Sequence, residues 1–109
     1  MMSPIRIREG FEGQILHVIP RTTTEKVASH PLIYPLMPTD IGWYPHARYH
    51  YCQRDTGAPE HILILCVEGS GWCKLGEKTL TVNQYEAALI PRGQAHIYGA
   101  SDDDPWSIH

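Results

Sequence analysis

From residue 48 onward the chain alternates short apolar runs with turn residues, the pattern of successive β-strands rather than helices. Residues 48–54 interleave tyrosines with His50 and Cys52, and Asp55-Thr56-Gly57 then supplies turn chemistry, which predicts a strand ending at Arg54. The run over 61–67 is unbroken and apolar between Pro59 and Glu68-Gly69-Ser70-Gly71, which predicts a strand buried on both faces. A tight turn centred on Gly69-Ser70 would pair Val67 with Trp72 and set Cys66 directly opposite Cys73. Leu75-Gly76-Glu77-Lys78 reads as another turn, followed by strands over 79–82 and 85–90. In Ala88-Leu89-Ile90-Pro91-Arg92-Gly93-Gln94-Ala95-His96, Pro91 presets φ and Gly93 accepts a positive φ. The chain can reverse there and start a strand at Gln94 that carries His96 and Tyr98 on one face. Short strands at this spacing predict a barrel or sandwich.

The first part of the chain is patterned differently. Residues 14–19 are short and apolar enough for one strand before Pro20 interrupts it. Thr22-Thr23-Thr24-Glu25 fits the spacing of a capping box, and Pro31 forbids continuation, so a peripheral helix of two turns is expected over 23–29. Pro31, Pro35, Pro38 and Pro45 exclude a long helix up to Arg48. The expected organisation is an amino-terminal arm with a strand and short helix over 1–39, packed on one all-β domain over 40–109.

With 109 residues there is room for a single core and no second domain. A formal charge of −3, with lysines and arginines scattered singly, offers no basic stripe for a phosphate backbone, so this chain alone is not expected to bind DNA. No apolar window approaches the length of a membrane span and residues 1–10 hold no signal-like apolar run, hence a cytoplasmic protein with no membrane partner is expected. The three cysteines, Cys52, Cys66 and Cys73, are odd in number and contain no C-x-x-C, which argues for reduced thiols.

The order of motifs carries a more specific signal. Arg54-x-x-Gly57, then the run from Ile62 through Gly69-Ser70-Gly71-Trp72, then Pro91-x-Gly93-x-x-His96-Ile97-Tyr98, then Asp104-Pro105-Trp106-Ser107-Ile108-His109, resembles the amino-terminal sensor domain of AraC-type transcription regulators. The resemblance spans 40–109 and implies an all-β small cupin fold, a jelly-roll-like barrel of the double-stranded β-helix kind. It further implies a non-catalytic effector-binding module, a possible homodimer, whose DNA contacts are made by a dimerising segment and a carboxy-terminal helix-turn-helix pair missing from this chain. The chain stopping just after its last strand pattern suggests a fragment of a longer protein.

The resemblance implies a small polar effector, a carbohydrate or related molecule, which a concave, partly apolar interior with a few converging polar groups would suit. Arg54 is the first candidate, because its planar fork can hold two neighbouring hydroxyls or a carboxylate, and the resemblance places a ligand-contacting arginine there. Against that stands an ordinary strand-end pair with Asp55. Tyr98 matches an aromatic that reaches into the pocket, and His96 shares its face, either contacting ligand or holding the turn. Trp106 offers a flat face for sugar C–H groups or simply packs the core, and Ile108 would lie on its side. Trp43 and Tyr44 stand where the family brings a strand to the pocket mouth, and either could line it or pack at the rim.

No cofactor is expected. Catalytic cupins hold a metal with H-x-H, a glutamate and the second-motif histidine, of which only His96 is present. The others fall near Asp55, Gly57 and Ile62, and His61, one residue away, would point to the opposite face. His46 and His50, four apart, would align on a helix that Pro45 disfavours. The alternative of a standalone metal-dependent cupin enzyme would need an unusual site around His96, His50 and His61. A third reading is an assembly module without ligand, whose pocket its own side chains would fill. Ser101-Asp102-Asp103-Asp104 is expected to be a solvated loop, lacking the spaced oxygens of a calcium site.

Overall fold

A computed structural model describes residues 5–26, 28–32 and 37–109. Its strands, in chain order, are β1 (Ile15–Val18), β2 (Asp40–Trp43), β3 (Tyr51–Arg54), β4 (Ile62–Glu68), β5 (Gly71–Leu75), β6 (Lys78–Val82), β7 (Ala87–Ile90), β8 (His96–Ala100) and β9 (Ser107–Ile108). One short helix, α1 (Arg21–Lys26), lies between β1 and β2. All strand pairs are antiparallel and form three sheets: β1-β2, the four-stranded β3-β8-β5-β6, and the three-stranded β7-β4-β9. The described residues thus make a mostly β domain in which no sheet closes on itself. A bridge between Tyr44 and Ile108 continues the two-stranded sheet into the three-stranded one.

The core lies between the larger sheets. Ile64 and Cys66 of β4, Ala88 and Ile90 of β7 and Ile108 of β9 meet Cys73 of β5, Val82 of β6 and Ala100 of β8, with Ala47 and Trp106 from connecting segments. Trp106 is completely buried, and a Cβ on Gly71 would stand 2.1 Å from its ring, so only glycine allows the indole to lie against β5. All three cysteines are free and buried, and burial pushes the Cys73 thiol up to about 11, as expected of inert core thiols.

Four expectations change. The apolar run of β4 buries only one face: Ile64 and Cys66 point inward, whereas Leu63 and Leu65 face out beside Leu89 of β7. The three-stranded sheet has nothing described on its outer side, so the run is apolar without being enclosed. Second, β4 and β5 are not a hairpin. Gly69 takes a left-handed φ of 70°, and the next backbone bonds go sideways, from Ser70 N–H to the Asp104 carbonyl and from Ser101 N–H to the Ser70 carbonyl. The turn carries the chain from one sheet to the other, so Cys66 pairs with Ile108, Cys73 with Leu80 and Tyr98, and the thiols share the core from opposite sheets.

Third, β3 starts at Tyr51 rather than Arg48, because Tyr49 has a left-handed φ of 67° and the His50 N–H bonds back to the Ala47 carbonyl. Fourth, α1 begins at Arg21, earlier than the capping box implied. The Thr23 and Thr24 N–H groups donate to the Pro20 carbonyl, and the Thr24 hydroxyl donates to the Arg21 carbonyl. Of the remaining expectations, the course of the helix through Val27, the segment around Pro35 and the first four residues lie outside the described residues.

Gly57 and Gly93 join the ends of β3 and β8. Gly57 has φ 79°, its N–H donates to the Arg54 carbonyl, and a Cβ there would stand 2.5 Å from the Gly93 carbonyl carbon. The Gly93 N–H donates to the Ala58 carbonyl, locking the two turns together. Gly76, with φ 61° and open space around it, provides a control. Gly57→Ala is expected to cost about 2–3 kcal/mol, since backbone must move as well as adopt a left-handed alanine, and Gly76→Ala about 1 kcal/mol. Urea denaturation of both variants measures the difference.

Candidate functional site

Antiparallel pairing of β3 with β8 sets Arg54 opposite His96 and Cys52 opposite Tyr98. Across that register the Arg54 Nη1 donates to His96 Nε2 at 3.0 Å and to the Tyr98 hydroxyl oxygen at 3.4 Å. A guanidinium only donates, so His96 Nε2 accepts, and Nδ1 carries the proton that it donates to the Gln94 carbonyl at 2.8 Å. His96 is therefore held at both nitrogens. Its ring stacks on Tyr98 at 5.8 Å between centroids.

The Arg54 guanidinium is half-buried, and among the described residues no carboxylate pairs with it; the ion pair found is His46 with Glu68 at 3.2 Å. Its partners are uncharged. Nη2 and Nε make no protein hydrogen bond among the described residues, and the side chain lines a cavity of about 360 Å³. Tyr98 also lines the cavity. Burial pushes its hydroxyl up to about 12 against the opposing effect of Arg54, so it stays protonated.

Of the residues singled out from the sequence, Arg54, Tyr98 and Tyr44 line this cavity. His96 does not, but it anchors Arg54 from behind. Trp106 lies in the core, and Trp43 is not among the lining residues but packs on His109, which is, at 4.7 Å between ring centroids. Ile108 lines the wall, next to Ile62 and Ile64 of β4. The arm contributes Arg8, Glu9 and Leu16, and Asp40 and Glu60 add carboxylates among the lining residues.

His50 was weighed from the sequence only as a metal ligand, yet it is a prominent part of this wall. It is 4% exposed, and its Nδ1 accepts the Trp106 indole N–H at 3.1 Å. Its ring stacks nearly parallel to Tyr44 (5.3 Å, 9°) and meets Phe11 and Tyr98 edge-on. Burial lowers its pKa from 6.5 to about 4, so the imidazole is uncharged at neutral pH. The period-two alternation of His50, Cys52 and Arg54 was the signal that could have found it, since alternate strand residues share a face.

No group of three His, Cys, Asp or Glu side chains among the described residues is arranged to hold a metal ion. His50 is occupied by Trp106, His96 by Arg54, and His61 is exposed, its Nδ1 accepting the Arg92 N–H. The metal-enzyme alternative therefore finds no ligand set among the described residues, and an assembly module with a self-filled interior does not match the open cavity. No helix among the described residues is long and apolar enough to cross a membrane.

Comparison with known proteins adds to this geometry. Residues 41–109 match the family described as the AraC-like ligand binding domain. The chain is also similar to the MmsAB operon regulatory protein of Pseudomonas aeruginosa, 39% identical over 94 residues, which is 83% of this chain and 30% of that protein. The chain thus spans less than a third of that relative's length.

The buried His50 makes stability depend on pH. The unfolded histidine takes up a proton near pH 6.5 and the folded one near 4, so between these values the unfolded state binds more protons. The contribution is complete above pH 6.5 and is lost as pH falls toward 4, about 3 kcal/mol in all. Denaturant unfolding across that range is expected to show the slope in the native chain and its loss in His50→Gln.

Proposed function

The chain belongs to the AraC-like ligand binding domain family, and on that premise we propose that it is the effector-sensing part of a transcription regulator, binding a small polar molecule in the cavity beside Arg54. The observation that carries this reading is the half-buried Arg54, held from behind by His96 and Tyr98, with donors left over and no acidic partner among the described residues. A cation satisfied by its own protein would have a carboxylate beside it. This one is oriented by neutral groups and keeps its remaining donors for an oxygen-rich ligand.

The ligand class we favour is a sugar or a related polyhydroxy compound, with cavity size, aromatic walls and convergent donors in support. Two of the three sheets of the described residues pack on a common core, and the cavity opens beside it with the arm and β2 in its wall, compatible with a small cupin barrel completed by the β1-β2 sheet. The similar regulatory protein from Pseudomonas aeruginosa is by name a regulator of an operon, and its greater length leaves ample chain for other functions. We place DNA binding in a carboxy-terminal helix-turn-helix region outside this chain, in a cytoplasmic, dimeric full-length protein. The effector would act by binding one arrangement of that protein better than another.

A thermal-shift panel of aldoses, alditols and aldonic acids tests the reading, since a ligand that binds only the native state raises Tm. At least one class is expected to give a saturable shift. Arg54→Ala is expected to weaken that ligand at least tenfold, corresponding to about 1.5–3 kcal/mol for a charge-assisted hydrogen bond. A panel without any shift would overturn the sensor reading.

A further inference from the structure

We propose that His50 is a second ligand-binding residue of this cavity, an uncharged donor that presents its Nε2–H to a ligand oxygen, with Trp106 as the residue that positions it. The inference rests on the effector reading and deepens it. Trp106 fixes the tautomer. An indole N–H can only donate, so the His50 Nδ1 at 3.1 Å must accept, and the ring's proton sits on Nε2.

That second nitrogen has no protein partner among the described residues, yet no buried side-chain nitrogen or oxygen there is left without one. Nε2 is therefore not sealed in the core. The ring stacks on Tyr44 and meets Tyr98 edge-on, both of which line the cavity, and His50 borders this cavity as well as a second one beside Tyr49 and Tyr51. A side chain that is 96% buried, stacked on Tyr44 and met edge-on by Phe11 and Tyr98, but not sealed at its one donor, is a preorganised contact.

Its chemistry differs from that of Arg54 on the next-but-one position of the same face. Arg54 brings charge and a fork, whereas His50 brings one directional donor and no charge, beside the aromatic rings of Tyr44 and Tyr98. A ligand lacking an oxygen at that point would cover the N–H without satisfying it, so His50 selects for an acceptor. A hydroxyl and a carboxylate both qualify.

D-Gluconate, with a carboxylate and hydroxyls, and D-sorbitol, with hydroxyls alone, are the probes. Affinity is read by calorimetry, and the His50 ring nitrogens by ¹⁵N NMR of the native chain. The expected spectrum without ligand shows the Nε2–H tautomer, and saturation with a binding probe is expected to shift Nε2 while Nδ1 stays bonded to Trp106. His50→Phe, which retains an aromatic ring for the stack, is expected to weaken binding at least tenfold, and His50→Gln, which keeps a donor, by less than threefold. A shift of Nε2 on binding of either probe supports the proposal, since both carry oxygen acceptors.

Unchanged affinity in His50→Phe, or a Nδ1–H tautomer, would overturn the proposal while Arg54→Ala still loses binding and the sensor reading stands. If His50→Phe does not fold, the ¹⁵N shifts of the native chain decide alone. Failure of both probes would overturn the proposal as framed, and failure of the wider panel as well would overturn the sensor reading beneath it.

Discussion

The placement of one indole governs both the core and the cavity. Trp106 occupies the space between the two larger sheets, and it fits there only because Gly71 has no side chain. Such a large ring brings a single polar atom into the interior, and a buried N–H without an acceptor would cost about 1–3 kcal/mol. His50 Nδ1 supplies the acceptor. Satisfying the core in this way sets which nitrogen of His50 carries the proton, so a packing requirement decides the chemistry that faces the cavity.

The Arg54 group shows a second balance. A guanidinium moved partly out of water needs compensation, and a carboxylate partner would provide the most. Here the compensation comes instead from a histidine nitrogen and a phenolic oxygen, both neutral acceptors supplied by β8. They orient the fork without neutralising it. The positive-φ turns at Gly57 and Gly93, in backbone contact, hold the ends of β3 and β8 so that this register is maintained. Position and charge are thus provided by different parts of the structure.

Much of this arrangement was readable from residue order. The Pro91-x-Gly93-x-x-His96 turn, the strand carrying His96 and Tyr98 on one face, and the end of β3 at Arg54 all follow from local backbone chemistry, and the structure has them. Arg54 and Tyr98 could be named because their motif spacing was specific. The Gly69-Ser70 turn was misread because a two-residue reversal and a crossing between sheets use the same residues. What separates them is the hydrogen bonding of Ser70 to the Asp104 and Ser101 backbone, more than thirty positions along. The apolar run of β4 was misread for a related reason: continuous hydrophobicity does not reveal whether a second layer covers the outer face, and Leu63 and Leu65 are exposed.

The sequence by itself determined the strand-and-turn character of residues 48–109, the positions of the turns that need glycine, and the candidate cation of the site. These depend on φ preferences and period-two patterning, which act within a few residues. Only the tertiary structure decided which strands are neighbours, that Trp106 belongs to the core while His50 belongs to the wall, and that Arg54 has neutral partners. Those outcomes depend on contacts between residues 42 to 56 positions apart, where burial and hydrogen-bond satisfaction across the whole domain decide the arrangement.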